Sequence, residues 1–370
     1  MKHQTLIIFD QLLRPLYVLL NLLKWGKKEP HINKNFIALK FFGIGSITRI
    51  VHVMDTIGIE KGQVTFITLH KNKAIIDLLN LNAVYIKTKH PLVLINSLLK
   101  VIFHIWNQKQ TAILDMERTS NLSGLFRLIV GIGKSCNSFY FKPENKYKKG
   151  QLFVSMSDKP ATQAIAEMFH RTYVHSDEYI DVPDSNKVFV NINAGNYCPE
   201  RKFPLSEYAV LIKMLYDENP DWCFYLTGIK SELAFVSSFK DQLVKLGIPS
   251  NSILNIAGQH NLHSFISFLK EAKLFITNDS GPLHLAHLFN IKTVGIWGPT
   301  SPKLIGYQNS KKMLNLESEL TCSPCFIHPK SPVAKYCQGD LTCFKAMGVK
   351  KMASDIIKFV EYQKIDASVV

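Results

Sequence analysis

Short apolar runs alternate with amphipathic stretches along most of the chain. Phe36–Phe41, Val64–Thr68, Ala83–Ile86 and Thr111–Asp115 read as buried strands. Gly43-Ile44-Gly45-Ser46 is a glycine turn into a helix over Ile47–Ile57, and another helix falls near Ala74–Asn80. Pro91–Trp106 carries Asn96, Lys100 and His104 at helical spacing, the pattern of an amphipathic helix. A helix over Ser120–Val130 follows. Gln151–Val182 reads as largely helical and ends in the linker-like Asp181-Val182-Pro183-Asp184. The alternation then restarts. Strands are expected at Lys187–Ile192, Trp222–Thr227, Ile253–Asn255, Leu274–Thr277 and Thr293–Trp297. Helices are expected at Leu205–Tyr216, Ser231–Leu246, Leu262–Glu271, Leu283–Phe289 and Lys350–Gln363. Such alternation predicts parallel sheets with right-handed crossovers, an α/β fold. The expected divisions are an amphipathic segment at 1–30, α/β domains at 31–182 and 183–349, and a terminal helix within 350–370.

The richest stretch is 274–302. Its first strand ends in Asn278-Asp279-Ser280-Gly281-Pro282, where polar residues can cap a helix and proline suits its first turn. Ser280 and Gly281 offer backbone N–H groups at a helix N-terminus, a seat for phosphate. Asp279 beside them can accept hydrogen bonds from sugar hydroxyls. The next strand ends in a second tight turn, Gly298-Pro299-Thr300-Ser301-Pro302.

That stretch resembles the signature of the ADP-heptose:lipopolysaccharide heptosyltransferases, glycosyltransferase family nine. Asp279, Ser280, Gly281, His284, Ala286, Gly298, Pro299, Thr300 and Pro302 carry the match. The resemblance implies a GT-B fold, two Rossmann-like domains facing a central cleft, with the 350–370 helix crossing back onto the first domain. It implies an inverting, metal-independent glycosyltransferase that needs no cofactor. The sugar, heptose by resemblance, moves from a nucleotide-diphosphate donor, ADP-heptose, to a lipopolysaccharide-type glycolipid core. By the same resemblance Arg201 and Asn196 contact the donor diphosphate with Ser280 and Gly281, and Asp279 contacts its sugar. Glu232 meets the ribose, and Gln259 and His260 flank the base. His284 is placed near the donor without a proton-transfer role.

The chain departs from the family at the acceptor-side turn formed by Gly43, Gly45 and Ser46. Ser46 stands where the family's aspartate general base is common, and an unperturbed hydroxyl cannot take a proton at neutral pH. Asp55, Asp115 and His52 are the other candidates for that role. The departure motivates a second reading, a non-catalytic nucleotide-sugar or glycolipid-binding protein on the same scaffold. A nucleotide-sugar epimerase is a weaker third, because the Gly-Pro-Thr-x-Pro turn follows the heptosyltransferases.

Composition narrows the partners. The chain has 370 residues, a length that favours two cores over one. A net charge of +15 points to polyanionic partners: nucleotides, phosphorylated glycolipids or acidic membrane surfaces. That charge is diffuse, without an Arg/Lys block interleaved with aromatics, so nucleic acid is not expected. Residues 6–23 are too polar for a membrane span, and no signal peptide is evident. With Lys24, Lys27 and Lys28 adjacent, the segment suits either an anionic interface or the protein's own core. A cytoplasmic location, peripheral to the inner membrane, is the expectation. Cys322, Cys325, Cys337 and Cys343 have spacing that fits a structural zinc, two disulfides or reduced thiols. A cytosolic setting disfavours the disulfides, and zinc is not the favoured state.

Overall fold

The computed structural model describes residues 15, 35–88, 90–107, 111–117, 123, 136–140, 152–155, 159–175, 180–195, 198–325 and 341–366. The 1–30 segment, apart from residue 15, and most of the expected 120–130 helix lie outside them. The chain divides into two compact units, Met1–Val174 and His175–Val370. That division falls a few residues before the linker expected at 181–184.

The first unit is a six-stranded sheet of β1 (Asn35–Leu39), β2 (Val64–Leu69), β3 (Asn82–Ile86), β4 (Thr111–Asp115), β5 (Cys136–Tyr140) and β6 (Leu152–Ser155). Their order is β3-β2-β1-β4-β5-β6, with every pairing parallel. Helices α1 (Ile44–Thr56), α2 (Lys73–Leu78), α3 (Pro91–Asn107) and α4 (Ala161–Met168) belong to it. The expectation of a largely helical 151–182 is corrected: β6 opens that stretch, and among its described residues the helix is confined to α4. Leu152-Phe153-Val154 is an aromatic and β-branched run that suits a sheet, and β5 supplies a parallel partner for it. β5 is hidden in the sequence by Asn137 and Ser138, which interrupt its apolar pattern.

The second unit repeats the plan. β7 (Lys187–Asn191), β8 (Cys223–Leu226), β9 (Ile253–Asn255), β10 (Leu274–Asn278), β11 (Thr293–Trp297) and β12 (Met313–Glu317) lie in the order β12-β11-β10-β7-β8-β9, again all parallel. Its helices are α5 (Leu205–Glu218), α6 (Leu233–Lys245), α7 (Leu262–Leu269), α8 (Gly281–Leu288), α9 (Pro302–Ile305), α10 (Thr342–Lys345) and α11 (Val349–Asp366). In each sheet the strand order reverses beside its first strand. The crevice at the carboxyl ends of the strands there is where open α/β sheets take their ligands.

β10 and β11 are buried at every position, which is why they read as unbroken apolar runs. α11 packs within the second unit: its Met352, Ala353 and Ile356 join the core formed by Leu211, Leu215 and Phe344, against α5.

That core also explains one glycine of the 298–302 turn. A Cβ on Gly298 would come within 2.6 Å of Phe344 Cε1. Phe344 is itself pinned, stacked edge-on against Phe203 with ring centroids 5.4 Å apart. Gly298→Ala should therefore lower unfolding stability by about 1–3 kcal/mol through overpacking. Urea denaturation checks this, and an unchanged midpoint would mean that Phe344 can move aside.

A second prediction concerns pH. Lys292 is buried, with Nζ 4.6 Å above the Phe359 ring. Burial, and secondarily the charge of Lys273, lowers its pKa from the ordinary 10.5 to about 8. Between those values the unfolded chain holds a proton that the folded chain has released. Stability from this group therefore rises as pH climbs through that window. The stability of wild type relative to Lys292→Met should increase between about pH 7.5 and about pH 10, read from paired urea curves. A constant difference across that range would mean that Lys292 titrates normally.

Candidate functional site

The carboxyl ends of β7 and β10 gather most of the residues singled out in the second unit. Asp279 follows β10 directly and is 1% exposed. The loop after β7 carries Arg201 to it, with Nη1 3.3 Å from Asp279 Oδ2. The other arm of the guanidinium donates to Ala194 O at 3.0 Å, which fixes the plane of the fork. His284 Nε2 lies 3.9 Å from Asp279 Oδ1, and its Nδ1 is 3.3 Å from Tyr307 Oη. The buried carboxylate thus has a cation on one side and an imidazole on the other. Charge at this point is balanced but polarisable, and a sugar hydroxyl could bridge it.

Ser280 is the N-cap residue of α8, in extended backbone, yet its hydroxyl does not cap the helix. It accepts from Asn191 Nδ2 at 3.1 Å. The same Asn191 amide reaches Thr277 Oγ1 at 2.9 Å and Asn193 O at 3.2 Å. One buried asparagine therefore ties together the ends of β7 and β10 and the intervening loop. In this unit, Asn191 is a residue that sequence reading missed. A short polar side chain closing an apolar strand was its only signal. Pro282 has no N–H and Leu283 N donates to Ser280 O at 3.2 Å, so with Ser280 engaged sideways the donor that the first turn of α8 offers another partner is the Gly281 N–H.

The other assigned residues lie along the same carboxyl edge. Asn193 Nδ2 donates to Thr227 O at 3.5 Å, and Gly258 N to Gly228 O at 2.9 Å, so the loops after β7, β8 and β9 are linked in turn. Glu232 is half-buried, and its Oε2 accepts the Ile229 N–H at 2.9 Å, a local turn-closing bond. Gln259 and His260 are exposed. Gln259 donates to Asn255 O at 2.8 Å, and the His260 ring leans on Phe268. Lys202 points away from its neighbour Arg201, with Nζ 5.3 Å over the Phe235 ring. Asn196 lies outside the described residues. Cys198, in the Arg201 loop, is pushed up to about 12 chiefly by burial, so it is a thiol at neutral pH and no nucleophile. Thr300, in the second turn, has a buried hydroxyl without a hydrogen-bond partner among the described residues.

The first unit has its own cluster at the β1/β4 reversal. Gly43 adopts a φ of +87°, which glycine tolerates, and its carbonyl accepts the N–H groups of Ser46 and Ile47 as α1 begins. Ser46 is half-buried in that first turn. Just past β4, Glu117 Oε1 accepts Phe41 N at 2.5 Å, Phe42 N at 3.0 Å and Lys40 Nζ at 3.0 Å. Both members of that ion pair are buried. Asp115 closes β4 in register with Leu39 of β1, and its Oδ1 accepts Glu117 N at 3.3 Å. Lys71 lies 4.7 Å over the Phe42 ring. Burial lowers its pKa, against a smaller upward pull from Glu117. His52 is held by Tyr173 Oη at 2.9 Å, and Asp55 is exposed farther along α1. Sequence reading did not find Lys40 and Glu117, because isolated charges beside a strand look like ordinary surface.

The cysteines do not form a site among the described residues, where no group of three or more His, Cys, Asp or Glu is placed to hold a metal. Cys337 lies outside them, Cys322 is exposed, and Cys343 is buried beside Phe344 in the second core.

Known proteins resemble this chain in sequence and fold. The profile of Glycosyltransferase family 9 (heptosyltransferase) matches residues 144–335. Lipopolysaccharide heptosyltransferase 1 of Campylobacter coli is 27% identical over 219 residues, 59% of this chain and 56% of that protein. The chain spans about half the length of the curated relatives it matches. Among solved structures, ADP-heptose lps heptosyltransferase II of E. coli superposes with a TM-score of 0.60 at 14% identity, over 89% of this chain and 99% of that one. The E. coli heptosyltransferase WaaC, solved with ADP, gives 0.56 at 10% identity, over 83% and 99%. At those identities the likeness is one of fold, the GT-B pairing of two Rossmann-like units. The profile covers more than half the chain, including β7 to β12 and both turns at 279–302, so the chain belongs to glycosyltransferase family 9, the heptosyltransferase family.

Proposed function

We propose that this protein is an inverting glycosyltransferase, independent of a catalytic metal, that moves a heptose from ADP-heptose onto a lipopolysaccharide-type glycolipid core. The observation that carries the reading is the meeting of Arg201 with buried Asp279 beside the uncapped start of α8. A guanidinium fork and helix N–H groups hold a diphosphate, and the carboxylate takes sugar hydroxyls. Cation and helix dipole together offset the charge on the departing nucleotide, the task a divalent ion performs elsewhere. The solved complex of WaaC with ADP supports this choice of nucleotide. Glu232, and the Gln259–His260 turn, lie farther along the same edge, where the ribose and base of such a donor would extend. The orphaned Thr300 hydroxyl would gain a partner from a ligand oxygen.

The first unit takes the acceptor in this reading. Ser46 cannot serve as base, and the Glu117 carboxylate is engaged in holding the turn. Asp115, at the reversal of the first sheet, is then the carboxylate that receives the acceptor's proton. The acceptor oxygen attacks the anomeric carbon as the bond to the diphosphate breaks, which inverts the configuration.

Incubation of the purified protein with a panel of nucleotide sugars and a lipid acceptor tests the whole reading. Release of free nucleoside diphosphate dependent on acceptor is the expected result. Binding without turnover across the panel would instead establish the non-catalytic scaffold. Arg201→Lys keeps the cation beside Asp279 but loses the fork. It should weaken ADP binding by about 1.5–3 kcal/mol, roughly ten- to a hundredfold in Kd. Titration calorimetry reads this, and an unchanged Kd would return Arg201 to a structural role. Ser46→Ala should lower turnover only modestly, whereas Asp115→Asn should cost about 10²–10⁴-fold with ADP affinity intact. Equal, small losses in both variants would sink the assignment of Asp115.

A further inference from the structure

We propose that one face of α3 docks the first unit onto an anionic lipid bilayer surface. α3 is apolar on two sides. Leu94, Val101 and Ile105 are buried in the first core, which residues of β1, β2, β3 and β4 share. Away from that ridge, Ile95, Leu99, Phe103 and Trp106 are 53%, 60%, 66% and 58% exposed. Their spacing of four, four and three residues aligns them in a single stripe along the helix. Scattered exposed apolar residues are ordinary on a protein surface, but four large ones in register form a patch.

The surroundings of the stripe favour a polyanionic partner. Exposed Asn96, Lys100 and Asn107 follow the stripe around the helix. From Asp77 to Asp115 the sequence holds no acidic residue, yet it contains Lys87, Lys89, Lys100 and Lys109 with His90 and His104. A second copy of this chain laid on the same stripe would bring like charges together, on a molecule already at +15. A bilayer rich in anionic lipid has the opposite sign. Its interface also accommodates tryptophan and phenylalanine beside lysines that reach the headgroups. No described helix is long and apolar enough to cross a membrane, so α3 would lie in the interfacial plane. The inference stands on α3 alone, and vesicle binding is read without donor or acceptor.

The full chain should sediment with vesicles of mixed phosphatidylglycerol and phosphatidylethanolamine and remain in solution with phosphatidylcholine. Leu99→Ser/Phe103→Ser alters only exposed positions and should weaken anionic-vesicle binding about tenfold or more, with ADP affinity and circular dichroism unchanged. Lys100→Glu should weaken it severalfold in low salt and less in high salt, as expected of an exposed charge. Three results would overturn the proposal. The wild-type chain could fail to bind anionic vesicles. The double variant could bind them as wild type does, which would move docking to another segment such as 1–30. Sedimentation equilibrium could show a dimer that the double variant dissociates, which would make the stripe a self-interface.

Discussion

An ion pair at the carboxyl ends of the central strands, with its carboxylate buried, organises the second unit. Asp279 is almost wholly removed from water, and such a carboxylate is costly unless it is matched. Arg201 supplies the match from 78 residues away, which commits the loop after β7 to a single path across the end of β10. The guanidinium is committed in turn by the Ala194 carbonyl, and the loop's far end by Phe203 N donating to Asn278 Oδ1. Asn191 closes the arrangement underneath by joining Thr277, Ser280 and Asn193. Polar groups that share a low-dielectric site polarise one another, so the network is more rigid than its separate bonds suggest.

Much of this was legible in the sequence. Fully buried parallel strands such as Leu274–Asn278 and Thr293–Trp297 leave an apolar signature that needs no partner to be read. The Asp279-Ser280-Gly281 turn could be read because glycine and proline restrict the backbone at fixed offsets. The illegible parts depend on partners distant in sequence. Glu117 acquires meaning only when β4 is laid beside β1, and Asn191 only when β10 is laid beside β7. Periodicity also cannot separate two apolar sides of one helix. Pro91–Trp106 reads simply as an amphipathic helix, and only exposure distinguishes Val101 from Leu99.

The two units share strand order, strand polarity and the place where that order reverses, yet they put different side chains there. In the second, α8 starts after β10 without a side-chain cap, and a cation stands nearby. In the first, α1 also starts without a side-chain cap, and a carboxylate accepts from the loop amides just after β1 with a lysine beside it. Shared architecture therefore does not imply shared ligands. The chemistry follows from which backbone donors remain open.

Glu117 carries a consequence of its own. Because it follows β4, which pairs with β1, its effective concentration at the Phe41 and Phe42 amides is set by geometry rather than by the medium. Dilution cannot remove it, and a competing anion must displace a group that is always at hand. The loop after β1 thus carries its own anion from the moment the unit folds.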